Sequence, residues 1–310
     1  MNSKVYIILL NYKNWQDTLE CLLSIENLAY KNFEVVLVDN FSQNNSIQNI
    51  QQSLAKQKLS FTIHFIELVE NGGFAKGNNA GLKFAQEIGD GDFFWVLNND
   101  TTLDELALDQ LVGAVILDRK AERKVGLYGS KLRYYSHPEL LQAMGGQYNK
   151  WLGSMKEVGN LEIDKGQYDT NTTPNVLIGA AIFVTIDFLK EVGYFNEIYF
   201  IYFEEIDWAE RGRKLGWGLK VVPSSVVYHK QGMATQASGL QNDQKSKLSD
   251  FYYFRNRLRI TAQYFPYCLL TVYLSYLFTA INRIRRGQWD RLEMLWKVMW
   301  KFKTINWSDV

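Results

Sequence analysis

Short apolar runs alternate with stretches of helical periodicity over the first hundred residues. Residues 5–10, 34–38, 62–68 and 93–97 are largely apolar and end at polar positions. Such runs read as strands buried on both faces of a parallel sheet. Between them, residues 15–28 carry Leu19, Leu22, Leu23 and Ile25 at helical spacing, 46–57 read as a polar-faced helix, and a helix from about 76 to 88 follows a glycine-rich turn. Strand–helix alternation of this kind predicts an α/β domain with a parallel, doubly wound sheet. Ligands of such sheets sit beyond the carboxyl ends of the strands, where Asn11, Asp39, Asn71 and Asp100 fall.

Further along, 125–167 mixes strand and loop with many Gly and Tyr residues. The pattern then predicts a strand over 176–185, a short helix over 186–192, an aromatic loop over 195–203, a helix over 204–215 stopped by Gly216, and strands over 219–222 and 226–228. The character changes near Ser246, which divides the chain into a region 1–245 and an aromatic, basic, helical region 246–310. Residues 260–282 carry no charge, a length sufficient for the ~20 residues of a bilayer span. Pro266, Gln263 and several hydroxyl residues argue against a span, and helices packed on the main domain are a third arrangement. Arg255, Arg257, Arg259, Arg283, Arg285 and Arg286 interleaved with Trp and Tyr favour helices lying in a membrane surface.

Composition changes this picture little. Net charge is +1, so no global field draws the chain to nucleic acid. Aromatic residues make up 15%, enough for sugar-stacking surfaces, a membrane interface or simply an aromatic core. Cys21 and Cys268 lack metal or redox spacing and read as buried thiols in a reducing compartment. The first residues lead straight into an apolar strand with no basic leader, so a cytoplasmic location is expected.

Four constellations and one lone residue carry chemistry. Asp39 and Ser42 at a strand end can accept hydrogen bonds from a base or ribose, although a strand-end Asp is also an ordinary turn former. The run Asn71-Gly72-Gly73-Phe74-Ala75-Lys76-Gly77-Asn78-Asn79 lets backbone approach a ligand at a helix start. It is neither an ATPase phosphate loop nor a dinucleotide fingerprint, which disfavours a nicotinamide oxidoreductase. Asn98-Asn99-Asp100 places one carboxylate at the end of an apolar strand, a suitable ligand for a hard divalent ion that also takes substrate phosphates. Glu204-Glu205-Ile206-Asp207-Trp208 packs three acids among aromatics. Crowding of this kind raises proton affinity and suits a general base; an exposed acidic helix start accounts for the same letters. His229, alone at a strand end, gains meaning only if it faces Asp100.

Taken in order, these segments resemble family 2 inverting glycosyltransferases, particularly a bacterial rhamnosyltransferase-like branch. The resemblance runs from Ile8-Leu9-Leu10-Asn11-Tyr12 through Val38-Asp39-Asn40-Phe41-Ser42, Asn71-Gly72-Gly73-Phe74, Gly77-Asn78-Asn79-Ala80-Gly81, Leu97-Asn98-Asn99-Asp100-Thr101, Gly179-Ala180-Ala181, Gly193-Tyr194-Phe195-Asn196-Glu197 and Tyr202-Phe203-Glu204-Glu205-Ile206-Asp207 to Val227-Tyr228-His229. A later segment, Tyr252-Tyr253-Phe254-Arg255-Asn256, resembles a tyrosine-rich Arg-Asn motif of that branch.

The resemblance implies a GT-A fold with a mostly parallel central sheet and a C-terminal helical extension. It implies a nucleotide-diphospho-sugar donor bound by Asn11, Asp39, Ser42, Asn71, Gly72, Gly73, Lys76, Asn79, Asn98, Asn99 and Asp100, and a pocket lined by Gly179, Ala180 and Trp208. Mg²⁺ or Mn²⁺ would be held by Asp100 and His229. Glu205 would be the base, with Glu204 or Asp207 as competitors. The sugar would be rhamnose from dTDP-rhamnose, with a UDP-sugar as the alternative. The acceptor would be a growing surface polysaccharide, on a polyprenyl diphosphate carrier at the inner face of the membrane. Three positions depart from the family: Asn98 stands where its metal motif has Asp, Glu205 where its base is Asp, and Asn196 at a structural position where it has Asp. The first departure keeps a non-catalytic glycan-binding protein in view. A nucleotidyltransferase would need a glycine-rich basic motif after the first strand, and Asn11-Tyr12-Lys13-Asn14 is not one.

Overall fold

The computed structural model describes residues 3–55, 57, 59–170, 173–230 and 246–310. Its first half alternates β1 (Val5–Asn11), α1 (Trp15–Glu26), β2 (Phe33–Asp39), α2 (Ser46–Leu54), β3 (Ile63–Glu67), α3 (Gly73–Ile88) and β4 (Phe93–Asn98), then adds β5 (Thr101–Leu103) and α4 (Ala107–Lys120). These strands are apolar on both faces because both faces are covered. Val5, Ile7 and Leu9 of β1 pack with Cys21, Leu22 and Ile25 of α1, Ile50 of α2 and Leu111 of α4. Tyr6 and Ile8 point the other way, onto Ala75, Leu82 and Ala85 of α3.

The second half contributes β6 (Val125–Tyr134), β7 (Leu141–Ala143), β8 (Gly146–Asn149), β9 (Ser154–Glu157), β10 (Ala181–Thr185), α5 (Ile186–Val192), α6 (Glu204–Lys214) and β11 (Gly218–His229). The main sheet runs β3-β2-β1-β4-β10-β6-β11-β5, with β7 beside β6; β8 and β9 form a separate hairpin. β3, β2, β1 and β4 are mutually parallel. β10 is antiparallel to both of its neighbours, and β11 runs parallel to β6 and antiparallel to β5. The parallel registers set Asn11 beside Asp39 and Leu10 beside Asn98. The antiparallel one sets His229 opposite Thr101. Polar residues far apart in sequence thereby share one edge of the sheet.

Three expectations change in detail. The strand expected over 176–185 begins only at Ala181, because Val176 bridges to Gly146. The two expected strands 219–222 and 226–228 are one strand, β11, with a register shift between Val222 and Val226; Pro223 lies inside the shift, where a missing N–H is tolerated. The uncharged stretch 260–282 is not one helix. α7 (Lys247–Tyr264) ends before Pro266, and α8 (Leu269–Arg285) starts afresh, since proline lacks the donor a helix interior needs. Among the described residues no helix is long and apolar enough to cross a membrane. α7, α8 and α9 (Trp289–Lys301) bury Phe251, Leu258, Val272, Tyr276, Leu295 and Val298 in a core of their own, against which Phe200, Ile201 and Tyr202 pack.

Candidate active site

Three groups of polar residues meet along the carboxyl edge of the sheet. In the first, Asn11 donates to the Asp39 carboxylate (2.6 Å), and Ser42 binds the same carboxylate through both its hydroxyl (2.6 Å) and its backbone N–H (2.9 Å). Thr18 donates to Asn11, and Asn99 donates to Thr18 and to the Asn14 carbonyl. All of these side chains are buried, so the network fixes Asp39 and anchors the turn that carries Asp100.

The second group surrounds Asp100. His229 Nε2 lies 3.1 Å from Asp100 Oδ1 and 3.4 Å from Asn98 Nδ2. Its Nδ1 is 3.0 Å from Gln142 Oε1. An amide oxygen accepts, so Nδ1 carries a proton, and Nε2 faces the carboxylate, donating to it when protonated and offering a lone pair to a cation when not. Two lone pairs at that distance repel unless a proton or a cation lies between them. Burial pushes the Asp100 carboxyl up, but the His229 ring and Lys230 more than offset it and hold the group below its usual range. Among the described residues no three His, Cys, Asp or Glu side chains gather to hold a metal. One carboxylate and one amide-backed imidazole nevertheless fit an ion that takes its remaining ligands from a diphosphate and water.

The third group is built by the glycine turn and the start of α6. Asn40 and Asn71 interlock with each other and with the backbone of Gly72 and Gly73. Gly73 has φ +74°, and a Cβ there would come within 2.3 Å of the Phe200 carbonyl. That carbonyl accepts from the N–H of Phe74 (2.6 Å), so the turn is locked to the loop preceding α6. Ala180 accepts from the Asn98 N–H (2.9 Å), and Gly179 faces Phe74. Contacts thus run unbroken from the Asp100 turn through Gly179 and Ala180 to the glycine turn, and from there to the loop leading into Glu204 and Glu205.

Those two acids open α6 at its positive end. Glu204 is buried, and its Oε2 has no hydrogen-bond partner among the described residues. Burial, and then the neighbouring Glu205 charge, push its carboxyl well above the usual range. Glu205 is half-buried; burial raises its carboxyl to about 7, although backbone N–H groups at the helix start pull it back. A carboxyl poised there accepts a proton near neutral pH.

Other expected site residues have different local roles. Asp207 is fully buried, ion-paired to Arg211 (2.7 Å) and hydrogen-bonded by Tyr264 (2.7 Å), which leaves it little capacity to act as a base. Trp208 is enclosed between Phe188 and Phe195 and donates its ring N–H to Gly193, so it offers no open face to a sugar. Asn79 spends its amide on Phe195 and Glu197. Lys76 pairs with Glu70 at the surface. Gln142, Thr18 and the Phe200 carbonyl escaped the sequence reading, since none sits in a motif; their partners, His229, Asn11 and the glycine turn, are far off in sequence or on other elements.

Comparison with known proteins bears on the fold and on residues 6–151. Residues 6–151 match the family described as Glycosyl transferase family 2, a span that ends before Glu205 and His229. The low-salt glycan biosynthesis hexosyltransferase Agl10 of Haloferax volcanii is 24% identical over 218 residues, covering 69% of this chain and 63% of that protein. The chain therefore spans less than two thirds of that relative's length. In three dimensions it resembles residues 1–349 of Staphylococcus aureus TarS, with a TM-score of 0.54, 14% identity, and coverage of 96% of this chain and 81% of that one. It also resembles the mannosyltransferase PcManGT of Pyrobaculum calidifontis, solved with GDP-Man and Mn²⁺, with a TM-score of 0.55, 13% identity, and coverage of 99% and 88%.

Proposed function

We propose that this chain, whose residues 6–151 match Glycosyl transferase family 2 and whose fold resembles those of TarS and PcManGT, transfers a hexose from a nucleotide-diphospho-sugar to a saccharide hydroxyl with inversion. The observation that carries this reading is Glu205, a carboxyl raised to about 7 at the start of α6, just after the loop that is bonded to the glycine turn through the Phe200 carbonyl. Asp39, fixed by Asn11 and Ser42, recognises the nucleoside. Asp100 and the Nε2 of His229 would hold Mg²⁺ or Mn²⁺, which would supply positive charge to the diphosphate leaving group. Glu205 takes the acceptor proton as the hydroxyl attacks the anomeric carbon, and a single displacement inverts that centre. Asn98, a neutral group at the metal edge, lowers the local charge relative to a second Asp.

We take dTDP-rhamnose as the first donor to test, with UDP-sugars and GDP-mannose beside it; related folds were solved with UDP-GlcNAc and with GDP-Man. In a thermal-shift screen with Mn²⁺, the true donor nucleotide raises the melting temperature by mass action, by about 2.7 kcal/mol of stabilisation at a hundredfold excess over Kd. No response to any nucleoside diphosphate, with or without metal, contradicts the reading.

The same reading places the enzyme on the cytoplasmic face of a membrane, where a polyprenyl-diphosphate-linked acceptor resides. Its support is an exposed apolar face: Leu270, Leu274, Leu277 and Phe278 on α8, with Trp296 and Trp300 on α9. Co-sedimentation with anionic vesicles tests this placement. Paired Trp296→Ala and Trp300→Ala substitutions are expected to weaken binding about 10–100-fold without changing turnover on a water-soluble acceptor. Equal sedimentation of the two proteins removes these residues from the surface.

A further inference from the structure

The segment from Tyr199 to Phe203 has an unusual backbone. Phe200, Tyr202 and Phe203 all have positive φ, 65°, 68° and 75°, and none is glycine. Bulky residues hold that conformation only when the surroundings over-determine it. Here the surroundings are α7. Asn256 Nδ2 shares its two N–H groups among the carbonyls of Tyr199 (2.8 Å), Ile201 (2.8 Å) and Tyr202 (2.9 Å). Arg255 Nε donates to Asn256 Oδ1 (3.0 Å), which fixes the amide's orientation, and Arg255 Nη2 donates to the Ile198 carbonyl (2.6 Å). Phe200 stacks on Tyr252 with centroids 4.5 Å apart, and Tyr202 shares a hydrogen bond with Ser249 (2.8 Å).

Asn256 and Arg255 are themselves buried. Among the described residues no carboxylate pairs with Arg255, and burial lowers its guanidinium to about 10. Burying an unpaired cation is unfavourable, and an apolar side chain would serve packing better. The polar groups are instead spent on the carbonyls of one strained loop. That loop ends one residue before Glu204, and its Phe200 carbonyl also locks the glycine turn.

We propose that Arg255 and Asn256 are positioning residues: by clamping the carbonyls of 198–202, and with them the positive φ of Phe200 and Tyr202, they fix where the Glu205 carboxylate points and couple the donor turn to the base. The proposal rests on Glu205 as the base. Without the clamp the loop relaxes toward negative φ, and the base swings away from its productive position. A misplacement of about 1 Å costs on the order of 10²-fold in rate.

The test measures the full-length chain carrying Asn256→Ala or, separately, Arg255→Lys, which keeps the charge but loses the fork. Both are expected to lower kcat about 10–100-fold, to leave the donor KM within about twofold, and to move the acidic limb of the kcat–pH profile away from 7. Asn256→Ser, which restores a donor, is expected to recover part of kcat. Glu205→Gln serves as the control. If it is inactive while kcat and the pH limb of Arg255→Lys match wild type, the positioning role is wrong and the base assignment stands. If Glu205→Gln is active, both fall. A parallel fall in kcat and in donor binding, with the pH limb unmoved, marks a purely structural residue and also overturns the proposal. Should Asn256→Ala fail to fold, Arg255→Lys alone decides.

Discussion

Glu205→Gln is expected to abolish transfer, by at least about 10²–10⁴-fold, while leaving donor binding intact. The substitution keeps the shape of the side chain and removes only the proton acceptor. A base works ionised, and this carboxyl sits at about 7. Wild-type kcat should therefore fall about tenfold per unit below pH 7 and level off above it; the limb should vanish from whatever rate the variant retains. Stability should move the other way. A carboxyl raised above its ordinary value of 4.5 gives the folded state a proton that the unfolded chain has already lost. Folding stability then declines as pH rises from about 4.5 to 7 and stays reduced above that. The variant, free of that penalty, should melt higher than wild type at pH 8, and the gap should close near pH 4.5. Calorimetry at the two pH values, beside an acceptor-saturated rate assay, checks both halves. An active variant with an unchanged pH profile removes Glu205 from the chemistry.

The second large effect belongs to Asp100. Asp100→Asn keeps a hydrogen-bonding side chain beside His229 but withdraws the charge. If a divalent ion at this site contributes several kcal/mol to the departing diphosphate, transfer should drop about 10²–10⁴-fold. The stabilisation that a nucleoside diphosphate gives in Mn²⁺ should disappear, whereas the response to the bare nucleoside, which depends on Asp39, should persist. Chelation should reproduce the defect in wild type, and Mn²⁺ should reverse it. Gln142→Leu, which frees the far nitrogen of His229, should show the same pattern more weakly, about 10–100-fold. Full activity of Asp100→Asn in chelator would mean that no metal is needed here.

Much of the first half was legible because its strands are buried on both faces. Runs such as Val5–Asn11 need no tertiary information to be read as strands, and strand ends mark where polar residues collect. The order of the remaining strands was not legible. β10 inserts antiparallel between β4 and β6, a pairing across some eighty residues that no local pattern encodes. Asp39, Asp100 and Glu205 could be proposed from the sequence because an acid closing an apolar run or opening a helix is visible in one dimension. Trp208 was misread because an aromatic beside acids looks the same whether it faces a cleft or a core. Asp207 did carry a usable signal: Arg211 four residues on is the spacing of a helical ion pair, and that pairing is observed. Gln142 had none, since its meaning comes only from lying against His229.

The hydrogen bonds from Asn256 to the carbonyls of Tyr199, Ile201 and Tyr202 bear on how chimeras of such proteins can be assembled. The change of composition near residue 246 invites a splice there, grafting one protein's tail onto another's catalytic half. A graft at that point would bring a foreign helix to a loop whose three carbonyls need one particular amide. The exchangeable unit on the tail side therefore begins beyond Asn256, within or after α7, and the first turns of that helix travel with the half that does the chemistry.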